Sequence, residues 1–222
     1  MNLKLQLTTA FIISLLSLIG FSLMAILISK QRIISFDSTV IAFIQGLESP
    51  ALTAIMKFFT FIGSTSSVAI LAMIALFFLY VVLKHRSELI LLLTAVLGSN
   101  LLFITLKLFF QRARPDLHRL IEVSGYSFPS GHATNACTLY GTLSFLLWRH
   151  IPTRWGRTIL IIISIVMILA IGISRIYLGV HYPSDIIGGY FISTFWLTTL
   201  IWFYQRYKEK RYMRQHVNGN NE

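Results

Sequence analysis

The stretch Tyr126–His132, with the sequence YSFPSGH, is a short polar break that leads directly into the apolar run Ala133–Trp148. Pro129 ends any helix before it, and Ser130 is a residue type that commonly caps a helix N-terminus. The glycine that follows lets a ligand approach the backbone closely. Free N–H groups in the next helical turn would point at one place and could bind an anion beside a titratable histidine. Taken alone, the stretch also fits a capped helix start without any chemistry.

The composition around this stretch is that of a membrane protein. Of 222 residues, 55% are hydrophobic and only 12% are charged, whereas a soluble domain averages about 25% charged residues. Six runs carry few or no charges, and about 17–25 apolar residues in a helix cross a bilayer. These runs are Leu5–Ser29, Phe58–Leu83, Leu89–Leu106, Ala133–Trp148, Thr158–Ser174 and Ile186–Gln205. We predict an all-α integral membrane bundle of six transmembrane helices that forms one domain over residues 1–222.

The formal net charge of +11 could suggest a nucleic-acid partner, but its distribution argues against one. Basic residues lie in short connectors and in the tail Arg206–Arg214, which is the pattern of the positive-inside rule. With both termini in the cytoplasm, more Lys and Arg residues lie inside than outside, and Tyr126–His132 faces the extracytoplasmic side. Leu5–Ser29 is long for a signal peptide and precedes no cleavage site, so we expect a retained span. We therefore expect a multi-pass plasma-membrane protein that binds no nucleic acid.

The segment between the first two runs predicts short amphipathic helices. Apolar side chains recur at helical spacing along Phe36–Leu47, as in a helix lying on the outer membrane surface. Ser49 and Pro50 form a helix start, and Gly63 and Ser64 end that second short helix. The segment is either a lipid-facing wall beside a site or ordinary interfacial packing.

Three polar clusters fall at the outer ends of predicted spans. They are Lys107-x6-Arg114-Pro115, Pro129-Ser130-Gly131-His132 and Ser174-Arg175-x5-His181-x3-Asp185. The predicted topology alone brings all three to the same side of the membrane.

The clusters contain the side chains that phosphate chemistry needs. Lys107, Arg114 and Arg175 are fixed positive charges, and arginine grips phosphate oxygens in a planar, bidentate way. Ser130 and the N–H groups that begin at Gly131 add further donors. Since three gathered cations repel one another, an anionic ligand would relieve the repulsion, and phosphate is the most plausible anion.

The histidines suit a two-step reaction. His181 precedes Asp185 by four positions, so the carboxylate can accept one ring N–H and leave the other nitrogen as a nucleophile. His132 can protonate the leaving oxygen and later activate water. The interpretation is a phosphohistidine pathway. Ser184 is predicted to cap the sixth span.

Plainer interpretations exist for each cluster. The basic residues could end the third span, Arg175 could extend towards the headgroups, and His181 could be an interfacial residue. A metal site of His132, His181 and Asp185 is conceivable, but the three cations argue against a bound divalent ion. A non-catalytic protein that binds or flips anionic lipids would need the cations without these three side chains. No chemical role is assigned to Cys137, His85, His118, His150 or His216.

The three clusters together resemble the signature of the type 2 phosphatidic acid phosphatase superfamily, with every spacing in agreement. The resemblance implies a metal-independent lipid phosphatase without a cofactor. It implies His181 as nucleophile, Asp185 as its partner and His132 as acid and base. It further implies that the phosphate is held by Lys107, Arg114, Ser130, Gly131 and Arg175. Similarity to bacterial members implies a lipid phosphate or diphosphate substrate, with undecaprenyl diphosphate favoured and phosphatidylglycerophosphate or phosphatidic acid next. Soluble vanadium haloperoxidases share the signature, but six membrane spans argue against that activity.

Overall fold

The computed structural model describes residues 3–82, 86–116 and 118–219, and within them the chain forms eight α-helices and no strand. The helices are α1 (Leu3–Ser29), α2 (Ile34–Gln45), α3 (Pro50–Ile62), α4 (Thr65–Val81), α5 (Arg86–Phe110), α6 (Gly131–Leu147), α7 (Arg154–Tyr177) and α8 (Pro183–Gly219). Leu83 and His85 lie outside the described residues, as do the side chains of Arg214 and His216. The prediction of an all-α protein is confirmed.

Four helices are long and apolar enough to cross a bilayer, namely α1, α5, α7 and α8. A fifth candidate span is the pair α3 and α4, whose axes meet at a 55° bend. The bend lies at Gly63 and Ser64, as predicted, and the Ser64 side chain accepts a hydrogen bond from the backbone N–H of Ser67 to begin α4. The bend therefore divides the run that begins at Phe58 between α3 and α4, and a second span over this run stays a prediction.

Helix α6 differs from these candidate spans. It has 17 residues, and it packs against α4, α5, α7 and α8 with a buried polar surface. Buried Thr134, Asn135, Thr138 and Thr142 lie along its length. The run Ala133–Trp148 contains no charged residue, but its hydroxyl and amide side chains make it less apolar than the candidate spans. The count of exactly six spans therefore stays a prediction, with four or five candidates recognised by length and composition.

Two short helices precede α4, as predicted. The Ser49 side chain accepts a hydrogen bond from the backbone N–H of Leu52 at 3.3 Å, which caps α3. Helix α2 packs against α7 and α8. Its Ile41 and Ile44 side chains pack in an apolar cluster with α6, α7 and α8, and Asp37 is buried on the same helix. The side of α2 that packs against the bundle thus carries the Asp37 carboxylate. The spacing of apolar residues did not predict a role for it.

The last four helices run alternately up and down, so the end of one helix lies beside the start of the next. Helices α5 and α7 end where α6 and α8 begin, and we call this the site end of the bundle. A stretch of irregular chain, described over residues 111–116 and 118–130, crosses the site end. It is tied down by backbone hydrogen bonds from Leu120 to Leu178 at 3.1 Å and from Ser130 to Asp185 at 3.1 Å.

The aromatic ring of Phe128 anchors the YSFPSGH stretch. Phe128 is fully buried, stacks on Phe21 with ring centroids 5.5 Å apart and meets the edge of Phe110 at 5.0 Å. Any side chain at Gly188 would come within 2.3 Å of this ring, so the glycine makes room for it. Apolar packing therefore fixes the polar residues that follow Phe128.

Candidate active site

The start of α6 has the geometry that its sequence predicts. The Ser130 hydroxyl accepts a hydrogen bond from the backbone N–H of Ala133 at 3.4 Å, which confirms the cap. The backbone N–H of Ser130 donates to the Asp185 carbonyl, so the first residues of α6 and α8 are joined. A Cβ atom at Gly131 would lie 3.0 Å from the ring of Phe103. The close contact with Phe103 is thus a steric reason for a glycine at position 131, in addition to the predicted approach of a ligand.

The contacts of His181 with Arg114 and Asp185 favour one tautomer of its ring. Arg114 Nη1 lies 3.1 Å from His181 Nε2, and because arginine only donates, Nε2 must accept with its lone pair. The ring proton is then on Nδ1, which lies 3.3 Å from Asp185 Oδ2. Burial lowers the pKa of His181 well below its usual 6.5, and the charges of Arg175, Lys107 and Arg114 act in the same direction. The imidazole is therefore neutral at pH 7, with its lone pair on Nε2.

Two of the predicted cations hold the chain that crosses the site end. Arg114 donates to the backbone carbonyls of Gly125 at 2.9 Å and Val180 at 2.8 Å. Lys107 Nζ donates to the carbonyl of Tyr126 at 2.7 Å. Burial lowers the pKa of Arg114, yet these acceptors are neutral carbonyls, so the hydrogen bonds leave its positive charge available to an anion.

Arg175 and His132 meet at the end of α3. Arg175 is 3% exposed, its Nη1 donates to the Thr60 hydroxyl, and its Nε has no hydrogen-bond partner among the described residues. The backbone of Thr60 hydrogen-bonds the His132 ring. A Cβ atom at Gly63 would lie 3.3 Å from His132 Cδ2. The bend after α3 therefore places Thr60 against both residues, a role that the sequence analysis missed.

The structure brings all the predicted site residues to the site end. His132 lies close enough to His181, Arg175 and Lys107 for their electrostatic interaction. His181 likewise interacts electrostatically with Arg175, Lys107 and Arg114. Segments far apart in the chain thus form a positively charged surface around two imidazoles.

Two further charged residues belong to this region and were missed as site residues. Arg112 donates to Asp185 Oδ1 at 2.7 Å and to Asp37 Oδ2 at 2.8 Å. Ser184 does not cap α8 as predicted, because the helix begins at Pro183. Instead, the Ser184 N–H donates to Asp37 Oδ1 at 2.9 Å, so a carboxylate on α2 caps the first turn of α8. A lone carboxylate in an otherwise apolar segment was the available signal for Asp37.

Among the side chains that the structure describes, no group of three or more from His, Cys, Asp and Glu lies close enough to hold a metal ion. The side chains proposed for that alternative, His132, His181 and Asp185, therefore do not form such a group.

Comparison with known proteins places this geometry in a family. The profile of the PAP2 superfamily matches residues 88–209, which include every predicted site residue. The chain belongs to the PAP2 superfamily, the type 2 phosphatidic acid phosphatases.

Particular relatives extend the match over most of the chain. Phosphatidylglycerophosphatase B of Bacillus subtilis (strain 168) is 32% identical over 173 residues, which cover 77% of this chain and 84% of the relative. The crystal structure of a transmembrane PAP2-type phosphatidylglycerolphosphate phosphatase from Bacillus subtilis superposes with a TM-score of 0.79 at 29% identity, over 89% of this chain and 96% of that one. A putative undecaprenyl-diphosphatase, YbjG of Escherichia coli (strain K12), is 41% identical over 63 residues, covering 28% of this chain and 27% of the relative.

Proposed function

We propose that this chain is an integral membrane lipid phosphatase that removes the terminal phosphate from a lipid phosphate or diphosphate through a phosphohistidine intermediate. The observation that carries the proposal is the arrangement around His181. Asp185 lies at its Nδ1, Arg114 lies at its Nε2, and three cations surround it. A neutral imidazole with its lone pair directed at a cationic surface is suited to attack a phosphate group.

In the first step, His181 Nε2 attacks phosphorus and the bond from phosphorus to the leaving oxygen breaks. His132 donates a proton to that oxygen, so the lipid leaves as an alcohol or a monophosphate. The negative charge of the bound phosphate favours the protonated form of His132 that this step needs. Asp185 stabilises the positive charge that forms on the His181 ring.

In the second step, water attacks phosphorus and the P–N bond breaks. His132, now neutral, takes a proton from the attacking water, and inorganic phosphate is released. His181 Nε2 regains its lone pair, and His132 is again protonated for the next cycle.

The remaining predicted residues hold the phosphate. Lys107, Arg114 and Arg175 stabilise the charge that spreads over its oxygens, which is the main contribution of a protein to phosphoryl transfer. Ser130 and the N–H groups that begin at Gly131 add donors at the positive end of the α6 dipole. The reaction as proposed needs no metal ion and no cofactor.

Two lipid classes lead as substrates. The similarity to bacterial family members favours undecaprenyl diphosphate, and a relative from E. coli that matches over 63 residues is named as a putative undecaprenyl-diphosphatase. The longest match given above is to phosphatidylglycerophosphatase B, which supports phosphatidylglycerophosphate as the second candidate. Both present a terminal phosphate on a membrane-anchored lipid. Phosphatidic acid is the third.

The membrane orientation belongs to the same proposal. The positive-inside pattern favours cytoplasmic termini and a site end that faces the extracytoplasmic side. Labelling of a single cysteine introduced near Glu122, in a variant that lacks Cys137, tests this with a membrane-impermeant reagent on intact cells. Labelling without permeabilisation is expected, and protection until the membrane is opened would contradict it.

The function is tested by phosphate release from the purified protein across a panel of lipid phosphates and diphosphates, without added metal. Phosphate release is expected from at least one lipid and should persist in EDTA. The variant His181→Ala should insert in the membrane but release no phosphate. Loss of activity in EDTA would contradict metal independence. Binding or transbilayer movement of anionic lipids without any phosphate release would favour the non-catalytic alternative.

A further inference from the structure

A buried cluster of Asp37, Arg112, Ser184 and Asp185 connects α2 to the proposed catalytic pair. Arg112 bridges two carboxylates, with Nη1 at 2.7 Å from Asp185 and Nη2 at 2.8 Å from Asp37. The Asp185 and Asp37 side chains are 0% and 2% exposed, and that of Arg112 is 15% exposed. Only the planar fork of an arginine can donate to two carboxylates in this way.

Ser184 closes the cluster. Its hydroxyl accepts a hydrogen bond from Arg112 Nη1 at 2.7 Å and donates one to Asp37 Oδ2 at 2.6 Å. With the Ser184 N–H on Oδ1, both oxygens of Asp37 are engaged by groups whose positions are fixed. Helix α2 is therefore attached to the first turn of α8 by a charged and fully hydrogen-bonded contact.

The cluster controls how Asp185 faces His181. Since Arg112 holds Oδ1, the other oxygen of Asp185 is directed at the backbone N–H of Tyr182, at 2.9 Å, and at His181 Nδ1. The Arg112 guanidinium also lies 4.1 Å above the ring of Tyr182, which limits its own rotation. Arg112 therefore sets the plane of the Asp185 carboxylate from the side away from His181. The carboxylate in turn orients the His181 ring.

Arg112 is unlike the cations expected to hold phosphate. Lys107 and Arg114 donate to neutral backbone carbonyls, whereas Arg112 is engaged by two negative carboxylates. Its charge is already compensated, so it has little attraction left for an anionic ligand. Its geometry favours the orientation of Asp185 over contact with substrate.

We propose that Arg112 and Asp37 are positioning residues for the phosphatase reaction, which fix Asp185 and thereby hold Nε2 of His181 in line with phosphorus. The inference rests on the proposed function. It makes α2 a part of the catalytic apparatus although none of its residues belongs to the three sequence clusters.

The test compares the steady-state kinetics of Asp37→Asn, Arg112→Lys and Arg112→Gln with the wild type. Each variant should lose about 10- to 100-fold in kcat, by analogy with the range seen when an outer partner that orients a metal-ligating histidine is removed. KM and inhibition by inorganic phosphate should stay within about twofold, because the groups that hold phosphate are unchanged. Arg112→Lys should resemble Arg112→Gln, since one ammonium nitrogen does not replace the two separate nitrogens that donate to Asp185 and Asp37.

Arg206→Gln is the matched control. Arg206 lies at the opposite end of the bundle from the site and pairs with Glu209 at 3.8 Å, so its loss should leave kcat unchanged. The double variant Asp37→Asn/Arg112→Gln should be no slower than Arg112→Gln alone, because both residues act through Asp185. Should Arg112→Gln fail to fold, the nearly isosteric Asp37→Asn decides the question.

The possible results separate the explanations. A raised KM with an unchanged kcat would overturn the inference and make Arg112 a phosphate ligand. Unchanged kinetics in folded variants of an active enzyme would show that the cluster only attaches α2. A wild-type protein that releases no phosphate would instead refute the proposed function itself.

Discussion

The two ends of the helix bundle both bury a carboxylate among basic residues, yet they build different structures. At the site end, Arg112 lies 2.7 and 2.8 Å from two carboxylates, and all three side chains are buried or nearly so. At the opposite end, buried Glu88 faces His150 at 3.6 Å, Arg149 at 3.8 Å and Lys208 at 4.0 Å, whose side chains are 27%, 43% and 37% exposed. The Arg112 contacts at the site end are short and bridge two buried carboxylates, whereas these three pairs are longer and join Glu88 to partly exposed side chains.

This difference shows that charge content alone does not locate the chemistry. Ion pairs with exposed, mobile cations contribute little to the free energy of folding and do not hold a side chain in one orientation. At the site end, the buried cations that donate to neutral carbonyls keep an uncompensated positive charge, which favours binding of an anion.

The largest contrast is expected between Arg175→Gln and Arg149→Gln. The first removes a buried cation that we place against the phosphate, and kcat/KM should fall by about 100- to 1000-fold, as when one preorganised donor is lost. The second removes an exposed cation from the opposite end and should change kcat/KM by less than about threefold. Phosphate release by the two purified variants measures this, and equal losses would erase the distinction between the ends.

Binding of inorganic phosphate should stabilise the protein through the site end alone. A ligand at 100 times its Kd adds about 2.7 kcal/mol to the free energy of unfolding. Thermal unfolding in detergent should show this shift for wild type and Arg149→Gln but not for Arg175→Gln. Potassium chloride at matched ionic strength is the control, and an equal shift with chloride would indicate screening in place of a phosphate site.

A smaller effect should follow from Thr60, whose hydroxyl accepts a hydrogen bond from Arg175. Thr60→Val leaves a buried guanidinium without this acceptor, and kcat should fall about tenfold, since a hydrogen bond to a charged group contributes about 1.5–3 kcal/mol. Thr60→Ser keeps the hydroxyl and should stay within about twofold of wild type. Similar kcat values for the Val and Ser variants would mean that the hydroxyl does not orient Arg175.

The smallest effect concerns pH and the free energy of unfolding. Because burial and three cations lower the pKa of His181, the folded protein leaves this ring neutral where the unfolded chain protonates it, near pH 6.5. Acid therefore favours unfolding, and His181 contributes a loss of at most about 1.4 kcal/mol per pH unit below 6.5. Chemical unfolding between pH 7.5 and 5.5 should be less steeply pH-dependent for His181→Gln than for wild type. Identical slopes would contradict a neutral, buried His181.

Much of the site end could be predicted from the sequence, because the spacing of the clusters and the alternation of spans bring them together. Lys107, His132 and His181 each lie beside a helix terminus that their own segment defines. The rest required three-dimensional contacts. Asp37 reaches Arg112 across 75 positions and Thr60 reaches Arg175 across 115, and no local pattern links segments at such separations.

The fold was predictable where apolar length decides it and less so where burial in protein replaces lipid. Helices α1, α5, α7 and α8 follow from their apolar runs. Helix α6 lies where the run Ala133–Trp148 predicts a helix, but it carries buried Thr138 and Thr142, so its crossing of the membrane stays a prediction. The bend at Gly63 was predicted from its residues, but the contact of α3 with His132 that the bend allows was not.

The central claim is that His181 Nε2 becomes bonded to phosphorus during turnover, and trapping that bond tests it most directly. His132→Ala should accumulate the intermediate when the substrate is p-nitrophenyl phosphate, whose leaving group needs no proton. Quenching in alkaline detergent followed by peptide mass spectrometry should then find phosphate on His181 through Nε2, and none in His132→Ala/His181→Gln. Phosphate on another residue, or phosphate release by His181→Ala at the wild-type rate, would contradict the account.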